Sequence, residues 1–259
     1  MIKSKDIKRP QTLSDADPYC PENVSLFEII YGKNLISLGG FPAIDNMFSD
    51  LNIRGLKALD LGFGLGGAAF YLVENYLMTV FGVEVYPWMV RYAHNHMPQN
   101  LARSLEFNVY NDKGELPYKA ESFDLVYSKG VLNHVADKYT LFHQVNAVLK
   151  PAGLFVIADW IFPQAITDNS VPLVCETKES YEQVLKNTGF SEIEFRDDSK
   201  IFLGYAKALL KNLTEHREFI EQTYNKELFS LIRVQHEELI EKINNKQKYA
   251  TRIVAKKIN

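Results

Sequence analysis

From residue 56 onward, short apolar runs alternate with longer segments in which apolar residues recur every three or four positions. The short runs are LKALDL (56–61), TVFGVEV (79–85), LEFNV (105–109), FDLVYS (123–128) and GLFVIAD (153–159). Between them the helical period predicts helices over 66–77, 87–96 and 136–149. Near-continuous β-rich runs separated by helices predict a parallel sheet covered on both faces, a doubly wound α/β core. Beyond residue 160 the pattern changes. A helix over 178–188, with Thr177 as its cap, stops at Gly189, and SEIEFRDD follows as an alternating strand. Residues 201–247 then keep helical spacing for over forty positions, a helical insertion. YATRIVAKKI (249–258) is the last strand, antiparallel because no crossover helix remains to make it parallel. Ahead of the sheet, SLFEIIYGKNLISLGGFPAIDNMFSDL forms a second helical addition. The expected organisation is a helical lid over 1–50, a ligand-binding core over 51–160, and a C-terminal part over 161–259 holding the insertion as an acceptor cap. Both additions are expected over the carboxyl edge of the sheet, where open α/β folds bind ligands.

Composition narrows the classes. At 259 residues the chain can bury one large core. Lysine and arginine number 29 against 32 acids, a formal charge of -3, so nucleic acid is not expected as a partner. Two cysteines, Cys20 and Cys175, make no disulfide framework and match no zinc spacing, so no metal is expected and a reducing compartment is. The first residues are polar without the apolar run of a signal peptide, and no window reaches the length of a membrane span. These features lead us to expect a cytoplasmic protein.

In ALDLGFGLGG the first strand ends at Leu61, and the chain turns through Gly62, Gly64, Gly66 and Gly67 into a helix whose first N–H groups are unpaired. Such a turn serves several nucleotide-like ligands. Asp60 discriminates among them: a carboxylate two residues before the first glycine opposes a pyrophosphate but suits a ligand carrying an ammonium and a sulfonium. The alternative is that Asp60 only caps the turn. Glu84, about twenty residues on at the end of the second strand, stands where an acid accepts ribose hydroxyls. Asp112, in the loop after the third strand, could accept from an adenine amino group or could be turn chemistry.

Four blocks in order, ALDLGFGLGG, VFGVEVYPWMV, NDKGELPYKAESFDLVYSKGVLNHV and LFHQVNAVLKPAGLFVIADW, resemble class I S-adenosylmethionine-dependent methyltransferases over residues 56–160. The resemblance implies a Rossmann-like sheet of seven strands, the last antiparallel, with S-adenosyl-L-methionine as methyl donor and S-adenosylhomocysteine as product. It implies that Asp60 and Gly62 lie near the methionine part of the donor, that Gly64 also belongs to the cofactor site, that Glu84 holds the ribose, that Val85 and Asp112 flank the adenine, and that Ser128 and Lys129 lie near the methyl donor. Phe63 departs from the small or polar residue of many relatives, either crowding the turn or offering a cation–π face. Within the superfamily, the stretches PYCPEN, YGKNLISLGGFPAID and VLNHV resemble phosphoethanolamine N-methyltransferases and, more distantly, sarcosine and dimethylglycine methyltransferases. That likeness implies a catalytic latch of Tyr19 and His134, with Ile36 and Ser37 near the cofactor. The Arg-x-Tyr pair that holds phosphate in those relatives is absent: Val171 and Leu173 stand there, and Trp160 replaces a tyrosine. A phosphomonoester needs at least two fixed donors or cations, so a less anionic acceptor is expected.

Methyl transfer from a sulfonium is an in-line displacement that asks for alignment and dryness more than for acid–base groups. The acceptor still needs a free lone pair. His134 can take its proton and Tyr19 can orient the imidazole, the alternative being a satisfied histidine under a helical cap. Tyr31, Trp160 and Phe202 are expected as walls of the acceptor pocket, or else as core. His94 and His96, at i and i+2 on a helix, diverge; His216 and His236 are expected to be solvated on the insertion. The leading expectation is a small-molecule methyltransferase acting on an amine, with oxygen or carbon acceptors as alternatives. An NAD-linked oxidoreductase and a non-catalytic cofactor-binding protein are the rival classes.

Overall fold

A computed structural model describes residues 19–111, 114–164 and 174–258. Seven strands form one sheet: β1 (Lys57–Leu61), β2 (Thr79–Glu84), β3 (Leu105–Val109), β4 (Phe123–Lys129), β5 (Leu149–Ile161), β6 (Phe190–Asp197) and β7 (Tyr249–Lys257). Their order is β3-β2-β1-β4-β5-β7-β6. The first five strands pair in parallel, and β7 inserts antiparallel between β5 and β6. The expected architecture is therefore the observed one, with β5 starting earlier than its apolar run because Leu149 already pairs with Phe123, the register then shifting to set Leu154 opposite Leu125.

Alternation along each strand fills two cores. Ala58, Leu125 and Val156 point to one face, where α2 (Gly40–Phe48), α3 (Gly67–Tyr76) and α4 (Pro87–His96) cover them. Leu59, Val126, Phe155 and Ile157 point to the other, under α5 (Lys138–Val148) and α6 (Lys178–Asn187). Helix α6 starts at the expected cap, Thr177, and the structure adds a capping box: the Thr177 hydroxyl accepts from the Ser180 N–H at 3.1 Å, and the Ser180 hydroxyl accepts from the Thr177 N–H at 2.9 Å.

One charge interrupts the apolar run of β7. Arg252 is 1% exposed, donates to the Met47 carbonyl at 2.7 Å and forks onto the Asp50 carboxylate. This bidentate pair fastens the antiparallel strand to the end of α2, and breaking it would strand a buried cation. A third, separate core joins α1 (Val24–Tyr31) to the insertion, which consists of α7 (Ser199–Glu215), α8 (Arg217–Thr223) and α9 (Lys226–Asn244). Leu26 and Ile30 of α1 pack with Leu213, Ile220 and Phe229. Helix α1 and the insertion, far apart in sequence, thus share one core, whereas α2 of the same N-terminal addition packs on the sheet.

Candidate active site

The carboxyl ends of β1, β2 and β4 open onto a cavity of about 290 Å³. Gly62, Asp60, Glu84 and Lys129 line it from the sheet, Asn34 to Ser37 from the N-terminal loop, and Tyr19 and His134 from one side. Asp60 is 3% exposed and Glu84 6%. Burial, then the nearby charge of Glu84, pushes the Asp60 carboxyl up to about 7, even though the Tyr127 hydroxyl donates to it at 2.8 Å. That pair follows from register. Asp60 and Tyr127 are Cα partners on parallel strands, so their side chains leave the same face. Burial also raises Glu84, while three backbone N–H groups oppose the shift: Gly64 at 3.0 Å, Val85 at 2.8 Å and Tyr86 at 3.2 Å. A carboxylate has about four lone-pair sites, so these three bonds leave Glu84 one acceptor position for a ligand.

The glycine turn is shaped by what presses on it. Gly64 sits at φ +58°, and a side chain there would place its Cβ 2.6 Å from Ile36 Cδ1. At Gly67 a Cβ would lie 2.5 Å from the Asn34 carbonyl oxygen, which accepts from the Gly67 N–H at 3.0 Å. The loop over residues 34–37 therefore roofs the turn, and its far end is tied to β4: Lys129 Nζ donates to Ser37 Oγ at 2.7 Å and to the Leu38 carbonyl at 2.9 Å. Burial lowers the Lys129 ammonium to about 8, and Asp159 opposes that shift. Phe63 lies on Phe107, centroids 4.3 Å apart, in space that Gly82 leaves open: a Cβ at Gly82 would come within 2.6 Å of the Phe63 ring.

Tyr19 and His134 meet at the mouth. Their rings stand edge to face with centroids 6.0 Å apart, and the Tyr19 ring also borders Tyr86 and Phe27. His134 is exposed on a 3₁₀ turn, Leu132–His134, that follows β4. Beside this, a smaller cavity of about 40 Å³ shares Ser37, Lys129 and Gly130 with the first and is lined by Asp159, Trp160 and Phe202. The rings of Trp160 and Phe202 meet at 80° with centroids 5.7 Å apart. Lys248 Nζ lies 4.5 Å over the Trp160 ring, so this protein's own cation occupies a face that a cationic acceptor could use.

Of the residues singled out from sequence, Tyr19, Ile36, Ser37, Asp60, Gly62, Glu84, Val85, Lys129 and His134 line the large cavity. Gly64 contributes the N–H that holds Glu84. Ser128 lies just beneath, its hydroxyl donating to the Leu61 carbonyl at 3.1 Å. Trp160 and Phe202 line the small cavity, whereas Tyr31 lines neither and packs toward His236 with centroids 6.4 Å apart. His236, expected to be solvated, is half-buried, its Nδ1 bonded to the Ile232 carbonyl at 2.8 Å. Asp112, Val171 and Leu173 lie outside the described residues. Sequence reading missed Tyr127, Met89 and Val131 as lining residues; only the Asp60–Tyr127 register could have signalled one of them.

Residues 59–157 match the methyltransferase domain family. The sheet order and its antiparallel β7 are those of the class I methyltransferase fold. The chain is 28% identical over 245 residues to phosphoethanolamine N-methyltransferase of Plasmodium falciparum, covering 89% of this chain and 90% of that protein. It is 30% identical over 224 residues to phosphoethanolamine N-methyltransferase of Triticum aestivum, covering 83% of this chain and 43% of that one. The chain spans about half the length of the plant relatives it matches, 47% for phosphoethanolamine N-methyltransferase 3 of Arabidopsis thaliana. Among solved structures, Haemonchus contortus phosphoethanolamine N-methyltransferase 2 in complex with S-adenosyl-L-methionine superposes with a TM-score of 0.84 at 22% identity, over 95% of this chain and 59% of that one. The cyclopropane synthase MmaA2 of Mycobacterium tuberculosis shares the fold at a TM-score of 0.71 and 15% identity, over 84% of both chains.

Proposed function

We propose that this protein transfers the methyl group of S-adenosylmethionine to a small-molecule amine. One observation carries the reading: Asp60 and Glu84, both buried, face one cavity from adjacent strand ends around a glycine turn, and one half-buried lysine, Lys129, lines the same cavity. Two buried acids against one cation are costly to ionise, burial being the main cause of the raised Asp60, and a cationic ligand relieves that cost. A pyrophosphate in the same place would add to it. The donor set therefore fits a zwitterionic sulfonium nucleoside. Glu84 would hold the ribose through one hydroxyl, Asp60 the cationic amino-acid end, and Lys129 its carboxylate.

When bound, the donor supplies an activated methyl group. The chain's own residues do the rest. The roof over residues 34–37 excludes water, and Lys129 keeps it shut through Ser37 and Leu38. His134, at the mouth, takes the proton that an ammonium acceptor must lose, and Tyr19 borders its ring. Trp160 and Phe202 shape the acceptor end. The named relatives support nitrogen as the methylated atom. Among the described residues no helix is long and apolar enough to cross a membrane; two cysteines, Cys20 and Cys175, that form no disulfide support a reducing, cytoplasmic setting.

The test is calorimetric titration with S-adenosylmethionine and with NAD, followed by incubation with labelled donor and a panel of amines, phenols and phosphobases. Binding of the first ligand alone, with label passing to an amine, is the expected result. Binding of NAD instead would overturn the reading, and label on a phenol would correct the acceptor.

A further inference from the structure

His134 is exposed, yet the residue before it is among the most tightly bonded in the molecule. Asn133 is 3% exposed. Its Nδ2 donates to the Trp160 carbonyl at 3.1 Å and to the Val174 carbonyl at 3.0 Å, and its Oδ1 accepts from the Trp160 N–H at 3.3 Å. Its backbone N–H donates to Asp159 Oδ2 at 3.1 Å, and its carbonyl accepts from the Val174 N–H at 2.7 Å. One side chain thus joins the loop that carries His134, the end of β5 that carries the acceptor wall, and the segment at Val174. On the other side of His134 a second bracket closes. Lys138, 3% exposed, donates to the Val135 carbonyl at 2.8 Å and pairs with Glu176 at 3.2 Å.

A loop that needed only stability would be served by an apolar residue, which carries no desolvation penalty. Directional bonds that exhaust both donors of a buried amide fix a position instead. We propose that Asn133 is a positioning residue: it sets the distance between His134 and the acceptor wall at Trp160 by clamping the β4–α5 loop onto the end of β5, with Lys138 as the second clamp. The proposal rests on the reading of His134 as the group that takes the acceptor's proton. Misplacing such a group by about 1 Å costs about 100-fold in rate.

The experiment is a double-mutant cycle with a control. Asn133→Ala is expected to lower kcat about 100-fold while donor affinity, measured calorimetrically, stays within about 2-fold. In a His134→Gln background the same substitution is expected to cost less than about 3-fold, because the group it positions is already gone. Phe190→Leu, in the core at β6 and far from the site, serves as a control for lost stability and should leave kcat near wild type. Equal losses in both backgrounds, or an equal loss in the Phe190→Leu control, would overturn the proposal. If Asn133→Ala does not fold, Lys138→Met takes its place, with about a 10-fold loss expected and the same non-additivity. Hydrogen exchange decides the structural half whether or not an acceptor is in hand. The His134 and Val135 amides, bonded to the Val131 and Leu132 carbonyls, should exchange faster in the variant while β1 and β2 stay protected. Unchanged exchange there overturns the clamp, whereas a wild-type protein that binds no S-adenosylmethionine overturns the functional reading alone.

Discussion

The two halves of the site are made differently. On the proposed donor side the backbone decides almost everything: a turn in which side chains would collide, an N–H from Gly64 that holds Glu84, and a register that sets Tyr127 against Asp60 across 67 positions. The proposed acceptor side draws on Trp160 of β5, Phe202 of α7 and His134 after β4, and there side-chain bonds do the joining, with Asn133 tying the His134 loop to Trp160. The same fold at 15% identity houses a cyclopropane synthase. A donor site held by backbone can persist while the acceptor side is rebuilt, because side-chain brackets can be exchanged without disturbing the sheet.

Substitutions can separate these halves. The largest effect is expected from His134→Gln, which should lower kcat about 100- to 10,000-fold with donor affinity unchanged; weaker donor binding in the calorimeter would show the halves to be coupled. Next comes Glu84→Gln. Hydrogen bonds to a charged group contribute about 1.5–3 kcal/mol, so the donor Kd should rise about 10- to 100-fold while the acceptor KM holds. A change confined to the acceptor would break the division.

The smallest effect is a pH dependence that belongs to the donor side alone. The Asp60 carboxyl stands at about 7 in the folded protein against 3.8 ordinarily, so the native state binds more protons between those values. Its contribution to stability is full below about 4 and lost as pH rises through 7. The Tm of the ligand-free protein should fall over that window, and fall less in Asp60→Asn. A cationic donor favours the ionised carboxylate, so its Kd should rise by up to about tenfold per pH unit below 7 and level off above. An identical slope in Asp60→Asn would assign it to another group.

Much of the donor side was legible because its signals are local. Apolar alternation gave the strands, the glycines marked the turn, and Asp60 and Glu84 stood at strand ends. Even the antiparallel β7 followed from the lack of a crossover helix. The unread residues act across long separations. Asn133 and Lys138 look like ordinary loop and helix residues until β5 and the segment at Val174 are folded beside them. Arg252 reads as a surface cation in an otherwise apolar strand until Asp50 arrives from the end of α2. His236 misled for the opposite reason: its helix is polar enough to suggest solvent, but the turn that carries it packs toward Tyr31 of α1. Phe63 could be interpreted only once Gly82 was seen to leave it room.

The roof over residues 34–37 continues directly from α1, and α1 shares its apolar core with the insertion. Any lifting of that roof would strain the contacts of Leu26 and Ile30 with the insertion helices, so the loop that closes over the glycine turn and the helices that carry Phe202 are mechanically linked.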